Sequence, residues 1–252
     1  MLHSEKIGDQ SPRNPSTIKL KSNMKVFSKY SLIARVFPTV LGLVPLFVFQ
    51  YVFLKNSASV TLLIVSAVGN LSLSTILLYA FNQYIIRIPS KLFEEWLFSN
   101  QLHFPTTNFL MYSDHEYTEI FKDRIRDAIN KDFSIQLSGK SEERKDPLAA
   151  RKRIKEVTRL IIGKVQDGYL VLQHNTEYGF VRNLWGASLV GIAGSSLILL
   201  LTGPESLLRL VAVILFFGYL LYLAFGFLVI KYFGCAYARK LIEEYYKMSY
   251  GN

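Results

Sequence analysis

Four stretches of this chain contain no Asp, Glu, Lys or Arg: residues 37–54, 60–81, 184–201 and 210–230, which are 18, 22, 18 and 21 residues long. The hydrocarbon core of a bilayer takes about 20 apolar residues as a helix. A helix on the surface of a soluble core alternates apolar and polar faces, so charge-free runs of this length do not suit it. With no water in hydrocarbon to meet a bare backbone, each run must be helical. The pattern predicts an all-α membrane protein with two transmembrane helical hairpins flanking a helical cytoplasmic domain.

The distribution of cations sets the expected orientation. Of 29 Lys and Arg, only Lys55 and Arg209 belong to the tight connections "KNSAS" and "TGPES" and their edges. Short connections poor in Lys and Arg face outward. Both termini and the middle segment are therefore placed in the cytoplasm. The expected division is a basic N-terminal arm (1–32), a first transmembrane hairpin (33–81), a cytoplasmic helical domain (82–183), a second hairpin (184–230) and a cytoplasmic tail (231–252). The first apolar run begins too late and extends too far for a cleavable signal. A lone cysteine, Cys235, excludes an internal disulfide and a cysteine-based metal site.

Within the spans the polar and small residues carry the information. Pro38 and Pro45 lack the N–H that a helix needs, so carbonyls in the first span are freed and must be met by neighbouring helices. Ser66, Asn70 and Ser74 stand four apart in the second span, a stripe that serves either helix packing or the lining of a pore. Ala187, Gly191 and Ser195 permit close approach in the third span. In the fourth, Gly218, Tyr222 and Gly226 share a column that is a packing groove or a gate.

In the middle segment, "SDHEYTEIFKDRIRDAI" predicts a helix with Ser113 and Glu116 as a capping box and Tyr117, Phe121, Ile125 and Ile129 on its apolar face. "DPLAARKRIKEVTRLIIGKV" predicts a second, capped by Asp146, with Pro147 in its first turn and Ile154, Val157, Ile161 and Val165 inward. "SIQLSGKSEER" between them reads as an exposed loop. "SKLFEEWLFSNQ" reads as an inward continuation of the second span, and the chain after Gly168 as a helix running into the third.

Motifs for phosphate loops, zinc proteases and serine hydrolases are missing, and the four histidines are not at metal-ligand spacing, so no enzyme, metal or cofactor is expected. The basic helix offers a ligand surface instead. Arg151, Lys155 and Arg159 align at four-residue spacing with Lys152 beside them, which suits anionic lipid or a phosphate-rich ligand such as a nucleotide or short oligonucleotide; Arg182 is a further candidate contact. In "EYGFVRNLWG", Arg182, Asn183 and Trp185 fall at the expected membrane boundary. There they form an interfacial collar, or Glu177, Tyr178, Arg182 and Asn183 clamp the third span to the cytoplasmic helices and couple the two.

"ERKDPLAARKRIKEVTRLI" followed by "NTEYGFVRNLWG" resembles bacterial four-pass membrane proteins encoded in antiphage islands beside nucleotidyltransferases, in particular the channel effector of Hailong-type defence systems. The resemblance runs over residues 123–186 and the placement of the hairpins. It implies a homo-oligomeric, tetrameric ion channel in the bacterial inner membrane. A short DNA oligomer from the partner nucleotidyltransferase would hold it shut, and its opening would depolarise the membrane and arrest growth. The alternative from a different class is a non-conducting membrane scaffold that binds anionic lipid and a cytoplasmic partner.

The cation asymmetry makes a direct prediction. Cysteine labelling in intact cells should reach positions near Ser57 and Gly203 from outside and positions near Gly139 only after the membrane is breached. Labelling of Gly139 from outside would invert the arrangement.

Overall fold

The computed structural model describes residues 29–53, 71–165 and 168–251. Among the described residues the chain is helical and contains no strand. In chain order the helices are α1 (Phe37–Phe53), α2 (Leu71–Phe81), α3 (Arg87–Leu97), α4 (Pro105–Leu110), α5 (Glu119–Phe133), α6 (Lys140–Lys145), α7 (Pro147–Val165), α8 (Tyr169–Leu201) and α9 (Leu207–Tyr250). A helical turn, Lys29–Ser31, and a π turn, Leu32–Val36, lead into α1; a second π turn, Asn82–Ile86, joins α2 to α3.

Three helices are long and apolar enough to cross a membrane, the mark of a multi-pass membrane protein: Lys29–Phe49, Tyr169–Leu201 and Leu207–Tyr250. The second apolar run of the sequence is described only from Leu71 on, so Ser66 and Asn70 lie outside the described residues; Ser74 falls within α2. At 1.5 Å per residue, the 33 residues of α8 and 44 of α9 measure about 50 and about 66 Å. Each exceeds the roughly 30 Å of hydrocarbon. Both helices therefore run unbroken from an apolar stretch into the polar domain, and residues 231–250, delimited as a tail from sequence, are the last turns of α9.

The two π turns have a sequence cause. Pro38 follows the first by two residues and Pro89 the second by three. A proline ring clashes with the carbonyl four residues earlier, and widening the helix by one residue relieves the clash. The nitrogen that would donate to the Ala34 carbonyl in an α-helix is that of Pro38, which carries no hydrogen. Asn183 Nδ2 from α8 donates to this carbonyl at 2.5 Å. Asn82 Nδ2, in the second π turn, donates to the neighbouring carbonyl of Arg35 at 3.2 Å. Pro45 strips the donor from Leu41 in the same way, and the Tyr219 hydroxyl of α9 donates to the Leu41 carbonyl at 2.5 Å.

α8 is the central helix, packed against α9, α1, α3 and the first π turn. Its small residues set the distances. A Cβ on Gly186 would lie 2.6 Å from the Ile86 carbonyl oxygen, so only glycine lets the second π turn approach. A Cβ on Gly191 would lie 2.5 Å from the ring of Tyr219, the side chain that reaches across α8 to Leu41. α8 and α9 run antiparallel, with Trp185 Nε1 donating to Leu223 O at 2.8 Å and the Tyr222 hydroxyl to Val181 O at 3.1 Å.

In the polar domain α7 is capped as its sequence requires, Ala149 N donating to Asp146 Oδ1 at 2.9 Å, and buries Ile154, Val157, Ile161 and Val165. Two expectations are corrected. α5 starts at Glu119 with Thr118 as N-cap, not at Ser113, because the chain before it is held in turns. The buried ammonium of Lys122 donates to Met111 O at 2.7 Å and Asp114 O at 2.5 Å, and Glu143 accepts from Ser113 N at 3.1 Å. Burial pulls the Lys122 ammonium below its usual pKa. The segment "SIQLSGKSEER" is not all loop. It contains α6, which buries Glu143 against Arg126 at 3.3 Å.

If Pro38 is the reason Ala34 needs Asn183, the two sites are coupled. Asn183→Leu should destabilise the purified protein by about 1–3 kcal/mol by stranding a buried carbonyl. In a Pro38→Ala background the restored N–H should remove much of that cost. Equal destabilisation in both backgrounds, read by thermal unfolding in detergent, would break the link.

Candidate functional site

Where the apolar helices enter the polar domain, a buried carboxylate on α3 ties that helix to α8. Glu94 of α3 is 6% exposed. Its Oε1 accepts from the Tyr178 hydroxyl, and its Oε2 lies 3.1 Å from Arg182 Nη1. Tyr178 and Arg182 are one helical turn apart on α8 and so reach the same acid. The Tyr178 ring stacks on Tyr237 of α9, centroids 6.2 Å apart, and meets Phe104 edge-on at 5.5 Å. This ion pair is costly to break, because Glu94 left alone would be an uncompensated, largely buried charge. The arrangement is a clamp. A shift of α3 against α8 must break or carry Glu94, Tyr178 and Arg182 together.

The candidate coupling residues divide accordingly. Tyr178 and Asn183 are buried at the helix junction, Tyr178 on Glu94 and Asn183 on the Ala34 carbonyl. Glu177 points elsewhere on α8, accepting from Gln173 Nε2 at 3.1 Å with His174 Nδ1 also 3.1 Å away. Arg182, from sequence a candidate both for ligand contact and for the clamping set, lies on Glu94 in the clamp. Glu94 was not singled out by sequence. Its signal lies in the four-residue row Asn82, Ile86, Ser90, Glu94 and Phe98, all buried, whose only charged member must find an internal partner.

The basic row on α7 is likewise split. Arg151 Nη1 donates to Leu102 O at 3.0 Å and Asn108 Oδ1 at 2.6 Å, and Lys155 Nζ donates to Asn100 O at 2.7 Å. These two cations hold the turn between α3 and α4, where Ser99, Asn100 and Gln101 adopt left-handed φ of 47°, 56° and 69°. Each such residue costs on the order of 1–2 kcal/mol, so the turn persists only while tethered. Lys152 and Arg159 are exposed, and Arg159 has no side-chain partner among the described residues.

Between α7 and the clamp lies a cavity of about 130 Å³, with exposed Arg159 and half-buried Lys155 toward its mouth and buried Glu94 and Tyr178 at its inner end. It joins the basic helix to the clamp directly. A larger open cleft of about 500 Å³ lies along α5. In its wall the Tyr112 hydroxyl donates to Asp123 Oδ1 at 2.6 Å, and Arg126 donates to Ser138 O at 2.6 Å and Leu110 O at 2.7 Å. Tyr112 is pushed up to about 12 by burial first and by Asp123 second, so it stays a donor across the physiological range. Among the described residues no three His, Cys, Asp or Glu side chains converge as metal ligands.

No protein-family model, curated protein or solved structure matches this chain.

The split of the basic row is testable. Arg151→Ala and Lys155→Ala should speed hydrogen exchange and proteolysis across residues 99–104, whereas Arg159→Ala should leave both unchanged. An equal effect from all three would mean that the tethers do not hold the turn.

Proposed function

We propose that the chain is the subunit of a homo-oligomeric ion channel in a bacterial inner membrane, with two transmembrane hairpins, both termini cytoplasmic, and a gate worked from the polar domain. A nucleotide or short DNA oligomer from a partner nucleotidyltransferase binds the basic side of that domain and sets whether the channel conducts. Conduction depolarises the membrane and arrests growth, as the resemblance to Hailong-type effectors implies. In this reading Ser66, Asn70 and Ser74 face the lumen.

The observation that carries the reading is the clamp between α3 and α8 at the point where α8 and α9 leave their apolar stretches. α8 and α9 cross that level without a break, so a displacement in the polar domain is transmitted along rigid helices. The cavity beside Glu94 and Tyr178 puts ligand-accessible space against the element that would have to move. In this reading the ring contacts and the ion pair of the clamp break and re-form as a unit, because packed interfaces switch between discrete arrangements.

The test is electrical. Expression in bacteria loaded with a voltage-sensitive dye should depolarise the membrane, and the purified protein should pass unitary currents in planar bilayers. Glu94→Gln keeps the shape and removes the charge of the clamp; it should change open probability by about tenfold, equivalent to one weakened ion pair, without altering unitary conductance. Asn70→Leu should do the reverse, lowering unitary conductance by drying the lumen while the oligomer stays intact. Absence of current from every preparation would leave the non-conducting scaffold as the better reading.

A further inference from the structure

The cavity between α7 and the clamp contains polar side chains that the protein leaves unmet. Thr106, 3% exposed, and Tyr237, 7% exposed, have hydroxyls without a hydrogen bond to any described residue, and the amide of half-buried Asn175 is in the same state. None of their polar atoms is sealed in packed protein, so they open into the cavity. Thr106, Asn175 and Tyr237 therefore present donors and acceptors that a molecule in the cavity can meet. The rings of Phe104, Tyr178 and Tyr237 make the apolar part of the wall, and Glu94, Gln101, Thr107 and Thr158 add further polar groups to it.

Size limits what enters. Sites that enclose a drug-sized molecule measure about 300–1,000 Å³, and this one measures about 130 Å³. The enclosed part of a ligand is therefore one ring system with a hydrogen-bonding edge. Outside it stand two cations. Arg159 has no partner among the described residues, and the Lys155 ammonium has three donors, of which Asn100 O takes one. Aromatic faces, unmet donors and acceptors, and adjacent cations are the combination that holds a base and its phosphate.

We propose that this cavity receives the single base of a nucleotide, stacked beside Tyr178 and Tyr237 and hydrogen-bonded by Thr106, Asn175 and Tyr237, with the phosphate held outside by Arg159 and Lys155. It deepens the reading of the polar domain as the ligand-sensing side and does not require that the protein conduct. A longer oligonucleotide would be read end-on, one base inside and the remaining backbone along exposed α7. The occupied base touches Tyr178 and so bears on the Glu94 clamp.

Binding is measured on the full chain in lipid nanodiscs by calorimetry, with AMP, GMP, CMP and UMP as probes against ribose 5-phosphate and inorganic phosphate. At least one nucleotide should bind about tenfold or more tightly than ribose 5-phosphate. Tyr237→Phe and Thr106→Val, which keep shape and remove a hydroxyl, should each weaken that binding about five- to tenfold. Arg159→Ala should weaken it similarly, and Arg153→Ala on the other side of α7 should not. Equal affinity for nucleotide and ribose 5-phosphate, no binding of any nucleotide at millimolar concentration, or full affinity in both hydroxyl variants would each overturn the assignment. The channel reading fails separately, by the absence of current. A protein that conducts but binds no nucleotide sinks only this inference, and one that binds but does not conduct sinks only the other.

Discussion

Proline inside an apolar helix is the constraint on which the rest of this structure depends. In hydrocarbon a carbonyl without a donor has no water to turn to. Pro38 and Pro45 deprive Ala34 and Leu41 of their donors, and each carbonyl is met by a side chain from a different helix, Asn183 of α8 and Tyr219 of α9. The register of α1 against the other two helices follows from those bonds. Asn82 adds a third by donating to Arg35 O, so both π turns face each other through amide side chains. The oxygens of Asn82 and Asn183 are themselves buried without a partner, which keeps this junction polar inside an otherwise apolar contact.

Packing then does what water-driven burial cannot do between lipid-facing helices. Leu210, Ile214, Phe217, Leu221, Phe225 and Leu228 of α9 are exposed, which suits a helix against lipid tails. What holds α8 and α9 together is close approach at glycine and hydrogen bonding by Trp185 and Tyr222. Below that level the balance changes. The polar domain has a conventional core in which Ile125, Ile129, Ile154, Ile161, Leu241 and Tyr245 are almost wholly buried, and the final turns of α9 form one of its walls. The clamp lies at the change between the two regimes, where burial is deep enough to make an ion pair strong and polar groups are near enough to supply it.

Much of this site was readable one residue at a time but not as pairs. Tyr178 and Asn183 stood out because they crowd an apolar boundary. Their partners, Glu94 and the Ala34 carbonyl, lie far away in sequence, and the Pro38 signal says only that some donor is needed. Alignment of Arg151, Lys155 and Arg159 on one helix face was correct as geometry. Two of these cations are tethers for the turn at Ser99–Gln101, because a left-handed run without glycine needs external bonds, and nothing local in "FSNQLHF" announces that backbone. The late start of α5 has the same origin. Lys122 bonds to the carbonyls of Met111 and Asp114, so the local capping signal at Ser113 loses to a tertiary contact.

The sequence by itself determined that the chain is helical, that three described helices can cross a membrane, and that α7 begins at Asp146 and Pro147 and buries its Ile and Val face. These follow from local chemistry: unbroken apolar runs, missing N–H groups and caps act within a few residues of themselves. Tertiary structure alone decided which side chain answers each freed carbonyl, that Arg182 faces Glu94, and that Thr106, Asn175 and Tyr237 meet around one cavity. Those outcomes depend on where helices separated by tens of residues cross. Helix crossing is set by the fit of small residues such as Gly186 and Gly191 against their neighbours, a three-dimensional complementarity for which spacing along the chain gives the close approach but not the partner.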